Sequence, residues 1–358
     1  MVSFYFDIER KKARFILINS CDKWYFYTIL IFTMKKSIAI VMGGFSSEVN
    51  ISLKSGSVVY KNLNREKYNP YKVHILKEKW VVVDDANAEH PIDKNDFSVT
   101  INKTKITFDC VFNAIHGAPG ENGELLAYFK LVGIRHTSAP FYQMALTFNK
   151  RDTLSVVKEY GVKTAISVYL NKGDVIDTDK IIAKVGLPCF IKPNNAGSSY
   201  GISKAYTKEE ILIGIEIAYK EDAAILIESF LDGTEVSVGV IQYKGETKVL
   251  PITEIVSEND FFDYEAKYEG KSHEITPARI SSEEKIKVEA VAEKVYKILN
   301  MSGFSRSEYI LVNGEPHFLE INTVPGLTEA SILPQQAEIA NISLSELFDN
   351  AIEMALNK

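Results

Sequence analysis

The sequence predicts an α/β protein, with a parallel sheet in its first half and a β-richer second half. Three observations predict it. Buried-strand segments alternate with amphipathic helical segments from Ser37 to about Tyr219. After Ala224 strand segments follow one another with few helices between them. The length of 358 residues exceeds one compact core and suffices for two or three domains.

Residues 1–33 stand apart from this pattern. Their apolar patches, Phe15–Ile18 and Trp24–Phe32, are broken by Asn19, Ser20, Asp22 and Lys23. Neither reaches the roughly 18–20 apolar residues that span a bilayer, and no small-residue cleavage site follows. Met34 leads directly into a buried strand and reads as the true start, with 1–33 as an extension outside the fold. An interfacial membrane segment is the alternative reading.

The elements follow in order. The strand Ile38–Met42 ends in Gly43-Gly44, and a helix follows near Ser46–Lys61. Strands are expected at Tyr71–Leu76, Trp80–Val83, Lys105–Phe108 and Asp109–Ile115, the last ending at His116-Gly117. Glu124–Val132 and Leu146–Glu159 have helical spacing. The strand Ile166–Leu170, the helix Lys180–Val185, the strand Cys189–Lys192, the helix Lys208–Tyr219 and the strand Ala224–Glu228 come next. Val236–Gln242, Lys248–Ile255 and a strand pair within Phe304–Asn322 form the β-rich part. Glu283–Leu299 and Ser343–Leu356 are amphipathic helices. This divides the chain into 34–138, 139–228 and 229–358.

Composition narrows the function. A net charge of −6 excludes general attraction to a nucleic-acid backbone. Apolar residues at 46% and charged residues at 25% fit a soluble globular protein. Cys21, Cys110 and Cys189 show no metal spacing, which fits a reduced, cytoplasmic setting.

The first chemical signal lies in Glu315–Gly326. In His317-Phe318-Leu319-Glu320-Ile321-Asn322, alternation puts Leu319 and Ile321 on one face and Glu320 and Asn322 on the other. Two oxygen ligands at this spacing suit Mg²⁺. Arg306 and Glu308 repeat the spacing on the preceding strand, with Asn313-Gly314 as the turn. Residue numbers decide the facing. A two-residue loop pairs residues whose numbers sum to an odd total, so Glu308 and Glu320 would point to opposite faces. An odd-length loop or a bulge is therefore expected, setting Glu308 against Glu320 and Arg306 against Asn322. A solvated sheet face would show the same spacing without any metal.

Three further segments add to this. Lys192 closes a buried strand ahead of the small-residue loop Pro193–Gly201, which could cradle phosphate through backbone N–H groups. It is not a Walker A loop, and a plain surface loop fits as well. His116 lies at a strand end beside three glycines, where ligands of α/β sheets bind; a structural histidine is the other reading. Asn259–Tyr268 is polar and aromatic without periodicity, as in a lid loop spanning about 257–273.

Together these segments resemble the D-alanine–D-alanine ligases of the ATP-grasp superfamily, over nearly all of the chain after Met34. The resemblance rests on Gly43-Gly44-x-Ser46-x-Glu48, His116-Gly117, Lys192-Pro193…Gly197-Ser198-Ser199, Tyr264–Tyr268 and Glu320-Ile321-Asn322-Thr323-x-Pro325-Gly326 occurring jointly. It implies a three-domain ATP-grasp architecture and ligation of two D-alanines for cell-wall precursor synthesis, through an acyl phosphate. ATP and two Mg²⁺ ions, or Mn²⁺, would be the cofactors, and a homodimer is the family's habit. Nucleic acid and membrane are not among the implied partners.

The resemblance also implies roles. Glu48 would hold the first ammonium, with Ser198 and Tyr268 tying the lid to it, and His116 would lie by the carboxylate. Lys150, Lys192 and Lys267 would meet ATP phosphates, and Ser199 would also bind the nucleotide. The backbones of Glu228 and Leu231 would meet adenine, and Glu235 the ribose. Glu308, Glu320 and Asn322 would hold the metal. Arg306 and the Gly326 N–H would stabilise the oxyanion, and Ser331 and Ile332 would seat the second carboxylate. The family usually has aspartate where this chain has Glu308; the extra methylene moves the carboxylate by about 1.5 Å. Related D-lactate ligases carry phenylalanine where this chain has Tyr268, which favours an amine acceptor. Other ATP-grasp acceptors, such as D-lactate or D-serine, and a non-catalytic nucleotide-binding protein are the alternatives.

Overall fold

A computed structural model describes residues 35–197, 199–257 and 272–357, together with the backbone of three strands ahead of them. Those three, Val2–Ile8, Lys11–Ser20 and Lys23–Leu30, pair antiparallel in a sheet of their own. The rest is built on three further sheets.

The first sheet has eight strands and spans residues 36–136. Lys36–Gly43 is an interior strand, flanked in parallel by Cys110–Asn113 and Tyr68–Ile75. It is buried on both faces, so its side chains divide between two cores. Ile38, Ile40 and Met42 pack with Phe348 and Ile352 of the helix Leu344–Leu356. Ala39 and Val41 pack on the other side with Leu125 and Phe129 of the helix Glu124–Leu131. The expected parallel sheet is only part of this one. From Tyr68–Ile75 outward the strands Trp80–Val83, Glu89–Asp93, Ser98–Ile101 and Thr104–Ile106 run as an antiparallel meander. Their connections are too short for the crossover helix that parallel pairing needs.

The second sheet is four-stranded and antiparallel: Ser167–Asn171, Ala224–Ser229, Cys189–Pro193 and Ser203–Ala205. The helices Thr178–Val185 and Lys208–Glu221 cover it and close a separate core around Ile191, Ile211 and Ile227. The third sheet has six strands. Ser272–Ile275, Thr253–Ser257, Thr234–Tyr243, Phe304–Val312 and Glu315–Asn322 follow in that order, and Glu246–Val249 pairs with Thr234–Tyr243.

Two expected elements are each split. The helix expected at Leu146–Glu159 is two helices, Phe141–Phe148 and Lys150–Glu159. Between them Asn149 turns extended, and its side chain accepts from Asp152 N–H as an N-cap. The strand expected at Lys248–Ile255 breaks at Pro251, which has no N–H to give a ladder. One helix was not expected at all: Ile332–Ile339, with Pro334 in its first turn, where a missing N–H costs nothing. Among the described residues no helix is long and apolar enough to cross a membrane.

Candidate active site

The hairpin of Phe304–Val312 and Glu315–Asn322 organises the site. Its turn is the two-residue loop Asn313-Gly314, both residues at positive φ. Pairing from the turn runs Val312↔Glu315 to Tyr309↔Phe318, which is the odd-sum register. Then a bulge intervenes, and Glu308 lies opposite Glu320 and Arg306 opposite Asn322. The facing that metal binding requires is thus reached through the bulge, not the loop. The extra residue is Leu319, and it alters one expectation. Leu319 does not share the core face with Ile321; the buried set changes from Pro316 and Phe318 to Ile321, and Leu319 turns to line a cavity.

That cavity, of about 410 Å³, lies between the second and third sheets. Lys192, Ser199, Glu228, Leu231 and Glu235 all line it, as do Glu308 and Glu320. Phe190, Phe230 and Ile310 supply apolar wall. The Lys192 ammonium pairs with the buried Glu228 carboxylate at 2.8 Å. Burial works against the Lys192 charge, but Glu228, Glu320 and Glu235 outweigh it and hold the pKa above its ordinary value.

A second cavity, of about 370 Å³, adjoins it, and Glu320 lines both. Glu48, His116, Arg306, Gly326, Ser331 and Ile332 come together here. Lys150, expected among the phosphate contacts, lines this second cavity, not the first. Its ammonium donates to Ala196 O at 2.6 Å and lies 3.5 Å from Glu320. The Glu48 carboxylate sits against two glycines. A Cβ at Gly117, whose φ is +67°, would lie 3.2 Å from it, and one at Gly197 would lie 3.0 Å away. His116 is buried, and its Nε2 lies 3.1 Å from the Ser55 hydroxyl, which also accepts from Leu327 N–H. Burial pushes the imidazole below its ordinary pKa, although the Glu48 charge pulls the other way. His116 therefore stays neutral near pH 7.

Arg306 donates to the Ser237 hydroxyl at 2.8 Å and to the Glu308 carboxylate. Burial opposes its charge, and Glu308, Glu320 and Glu274 together overcome that. Ser331 opens the helix Ile332–Ile339 without capping it by side chain; its hydroxyl lies 2.8 Å from that of Thr328. The first N–H groups of this helix are thus available to a carboxylate. Glu308 and Glu320 offer carboxylate oxygens to a hard cation on one sheet face. Asn322 offers a carboxamide oxygen that already accepts from Val324 N–H at 3.1 Å. Among the described residues no cluster of three or more His, Cys, Asp or Glu side chains could hold a metal. Two carboxylates and one carboxamide would leave further positions of a hard cation to substrate phosphates and water, as Mg²⁺ sites commonly do.

Ser198, Lys267, Tyr268 and the rest of Asn259–Tyr268 lie outside the described residues. The segment 258–271 joins two paired strands, with Ser257 opposite Ser272. Sequence reasoning passed over three residues that shape the site. Glu121 lines the second cavity and accepts from the N–H groups of Gly117, Thr323 and Val324. Burial, then the Glu48 charge, push it up to about 7. Gln336 is fully buried, accepting from Gly239 N–H and donating to Ser237 O and the Thr253 hydroxyl. Glu274 lines the second cavity from the edge strand. Glu121 lies among the three glycines that follow His116 and could have been found there; no local pattern marks the other two.

The comparisons with known proteins agree with this geometry. A family model described as "D-ala D-ala ligase N-terminus" matches residues 37–139, and one described as "D-ala D-ala ligase C-terminus" matches 156–353. The D-alanine–D-alanine ligase of Flavobacterium johnsoniae is 67% identical over 321 residues, covering 90% of this chain and 99% of its own. The VanG D-Ala:D-Ser ligase from Enterococcus faecalis has a TM-score of 0.81 at 30% identity, covering 90% of this chain and all of its own. The Bacillus anthracis D-alanine–D-alanine ligase complexed with ATP has a TM-score of 0.73 at 27% identity, covering 90% and 98%. With both halves matched and a close relative matched along almost its whole length, the chain belongs to the D-alanine–D-alanine ligase family.

Proposed function

We propose that this chain joins two D-alanines into D-alanyl-D-alanine, converting ATP to ADP and phosphate, as a step toward peptidoglycan. One observation carries the reading. Arg306↔Asn322 and Glu308↔Glu320 lie in register on the wall between two cavities, one suited to a nucleotide and one to amino acids. A γ-phosphate and a carboxylate can meet only at such a wall.

The residues divide the work. Lys192 and Ser199 bind phosphates, the Glu228–Leu231 backbone takes adenine, and Glu235 takes the ribose. Glu308, Glu320 and Asn322 would hold Mg²⁺, which neutralises phosphate charge when bound. Glu48 holds the first ammonium and neutral His116 lies by its carboxylate. That carboxylate oxygen attacks the γ-phosphorus, ADP leaves, and an acyl phosphate remains. The second D-alanine, seated by Ser331 and Ile332, gives up an ammonium proton to solvent, and its free amine then attacks the carbonyl carbon. Arg306 and the Gly326 N–H stabilise the tetrahedral oxyanion; phosphate departs and the nitrogen loses its second proton, taken by the phosphate or solvent, as the amide forms. Fixing three reactants on one wall supplies the proximity. Three domains, 34–138, 139–228 and 229–358, would carry these parts.

Phosphate release with ATP, Mg²⁺ and D-alanine tests the reading, with L-alanine as control and product analysis with D-serine and D-lactate as competitors. D-alanine-dependent release with the dipeptide as product is expected. No release above the L-alanine control would overturn it.

A further inference from the structure

Two amino acids bring two ammonium groups into one cavity, and the function proposed above assigns a counter-charge to only one of them. The second cavity is walled by four carboxylates: Glu48, Glu121, Glu274 and Glu320. Three are engaged. Glu48 lies at the His116 end and is assigned to the first amino acid. Glu121 is held by three backbone N–H groups. Glu320 lies near Lys150 and shares the phosphate side.

Glu274 is the fourth. Its strand, Ser272–Ile275, is the outermost of the third sheet, and the register fixes where its side chain faces. Glu274 pairs with Ile255, Ile255 with Glu235, and Glu235 with Ile310. Residues directly opposite in antiparallel strands share a face, and so do residues two apart on one strand. Ile310 therefore places Glu274 on the face of Glu308 and Arg306. Its electrostatic neighbours are those two residues. Among the described residues it takes no hydrogen bond and no ion pair; the Arg306 guanidinium is engaged by Glu308 and Ser237 instead.

The same cavity contains the start of the helix Ile332–Ile339, suited to a carboxylate. Ile332 packs with Ile255, which pairs with Glu274 and so ties the edge strand to the helix start. In an α-amino acid, carboxylate and ammonium are one carbon apart. An acceptor anchored at Ser331 and Ile332 thus needs an anionic group close by for its nitrogen.

We propose that Glu274 is that group: it binds the ammonium of the incoming second amino acid and makes the site prefer an amine acceptor over a hydroxy acid. The proposal rests on the ligase reading and assigns Glu274 to binding and selectivity, not to bond making. A hydroxy acid offers no positive charge there and leaves the carboxylate desolvated without a partner, which is a penalty against it.

Glu274→Gln and Glu274→Asp, assayed in the full chain, test this. Phosphate release is followed against D-alanine to separate first-site and second-site KM, and products are resolved with D-alanine and D-lactate competing. For Glu274→Gln the second-site KM rises about tenfold or more, the loss of one charge-assisted hydrogen bond. First-site and ATP KM hold, and the ester share of product increases. Glu274→Asp recovers part of the selectivity. An unchanged second-site KM would overturn the proposal. So would a fall in kcat with unchanged KM and product ratio, which would mean that Glu274 only supports Arg306. Wild-type protein without D-alanine-dependent release would instead overturn the ligase reading itself.

Discussion

Arg306 meets two demands at once. Its guanidinium is largely buried and donates through one nitrogen to Glu308 and Ser237, and it faces the cavity where an oxyanion would form. Arg306→Ala is expected to lower kcat by about 10²–10³-fold, the usual effect of losing one oxyanion donor. The KM for ATP should barely move; steady-state kinetics at saturating D-alanine reads this directly. Glu121 makes a different prediction. Its folded pKa of about 7 lies above the ordinary 4.5. Between these values the folded chain holds a proton that the unfolded chain has lost, so stability falls as pH rises through this window. The group's contribution is on the order of 2–3 kcal/mol. Melting of the ligand-free protein from pH 4.5 to 7.5 should show the decline, and Glu121→Gln should flatten it.

At the scale of elements, the bulge at Leu319 and the helix Ile332–Ile339 matter most. Numbering alone required a bulge or an odd loop, because Asn313-Gly314 and a shared face for Glu308 and Glu320 cannot both hold in a regular hairpin. Which residue would be extruded was not legible, since Leu319 is as apolar as its neighbours and the choice depends on cavity shape. The strand–helix alternation was legible because buried strands and amphipathic helices have different periods. The breaks were not. Asn149 and Pro251 interrupt runs whose apolar spacing continues across them. The helix Ile332–Ile339 was hidden by Pro334, which reads as a breaker in sequence and is harmless in a first turn. Among the site residues, those in Gly-rich or acidic motifs could be read. Gln336 and Glu274 could not, because the groups they face come from strands distant in sequence. Gln336 fastens the helix to the sheet through three hydrogen bonds. Gln336→Ala would leave Gly239 N–H and Ser237 O buried without this partner, costing about 3 kcal/mol. It should also raise the D-alanine KM by displacing Ser331 and Ile332; denaturant titration and kinetics on one preparation separate the two effects.

Across the whole molecule, the first and third sheets are joined by a common interior. Phe112 of the first sheet meets Phe304 and Phe348 at ring-centroid distances of 6.3 and 5.6 Å. Lys67 adds ion pairs to Asp349 and Glu353 at the rim. The groups assigned to the amino acids, Glu48 and His116 on one side and Arg306 and Ser331 on the other, are thereby held on a common frame.

The four-stranded sheet differs in part: one face and its two helices close a core around Ile191, Ile211 and Ile227, while Leu226 on the other face packs into the main core. A body whose interior is largely its own exposes little of its neighbours' apolar surface when it opens, so it can behave as a separate cooperative unit. Amide hydrogen exchange should then fall into two tiers. Strands Cys189–Pro193 and Ala224–Ser229 would exchange together at a lower opening free energy than Lys36–Gly43 and Phe304–Val312. Because the cavity assigned to the nucleotide draws walls from both bodies, ATP would raise protection in the weaker tier most, and occupancy of the site could be followed by the slowing of amides far from any phosphate.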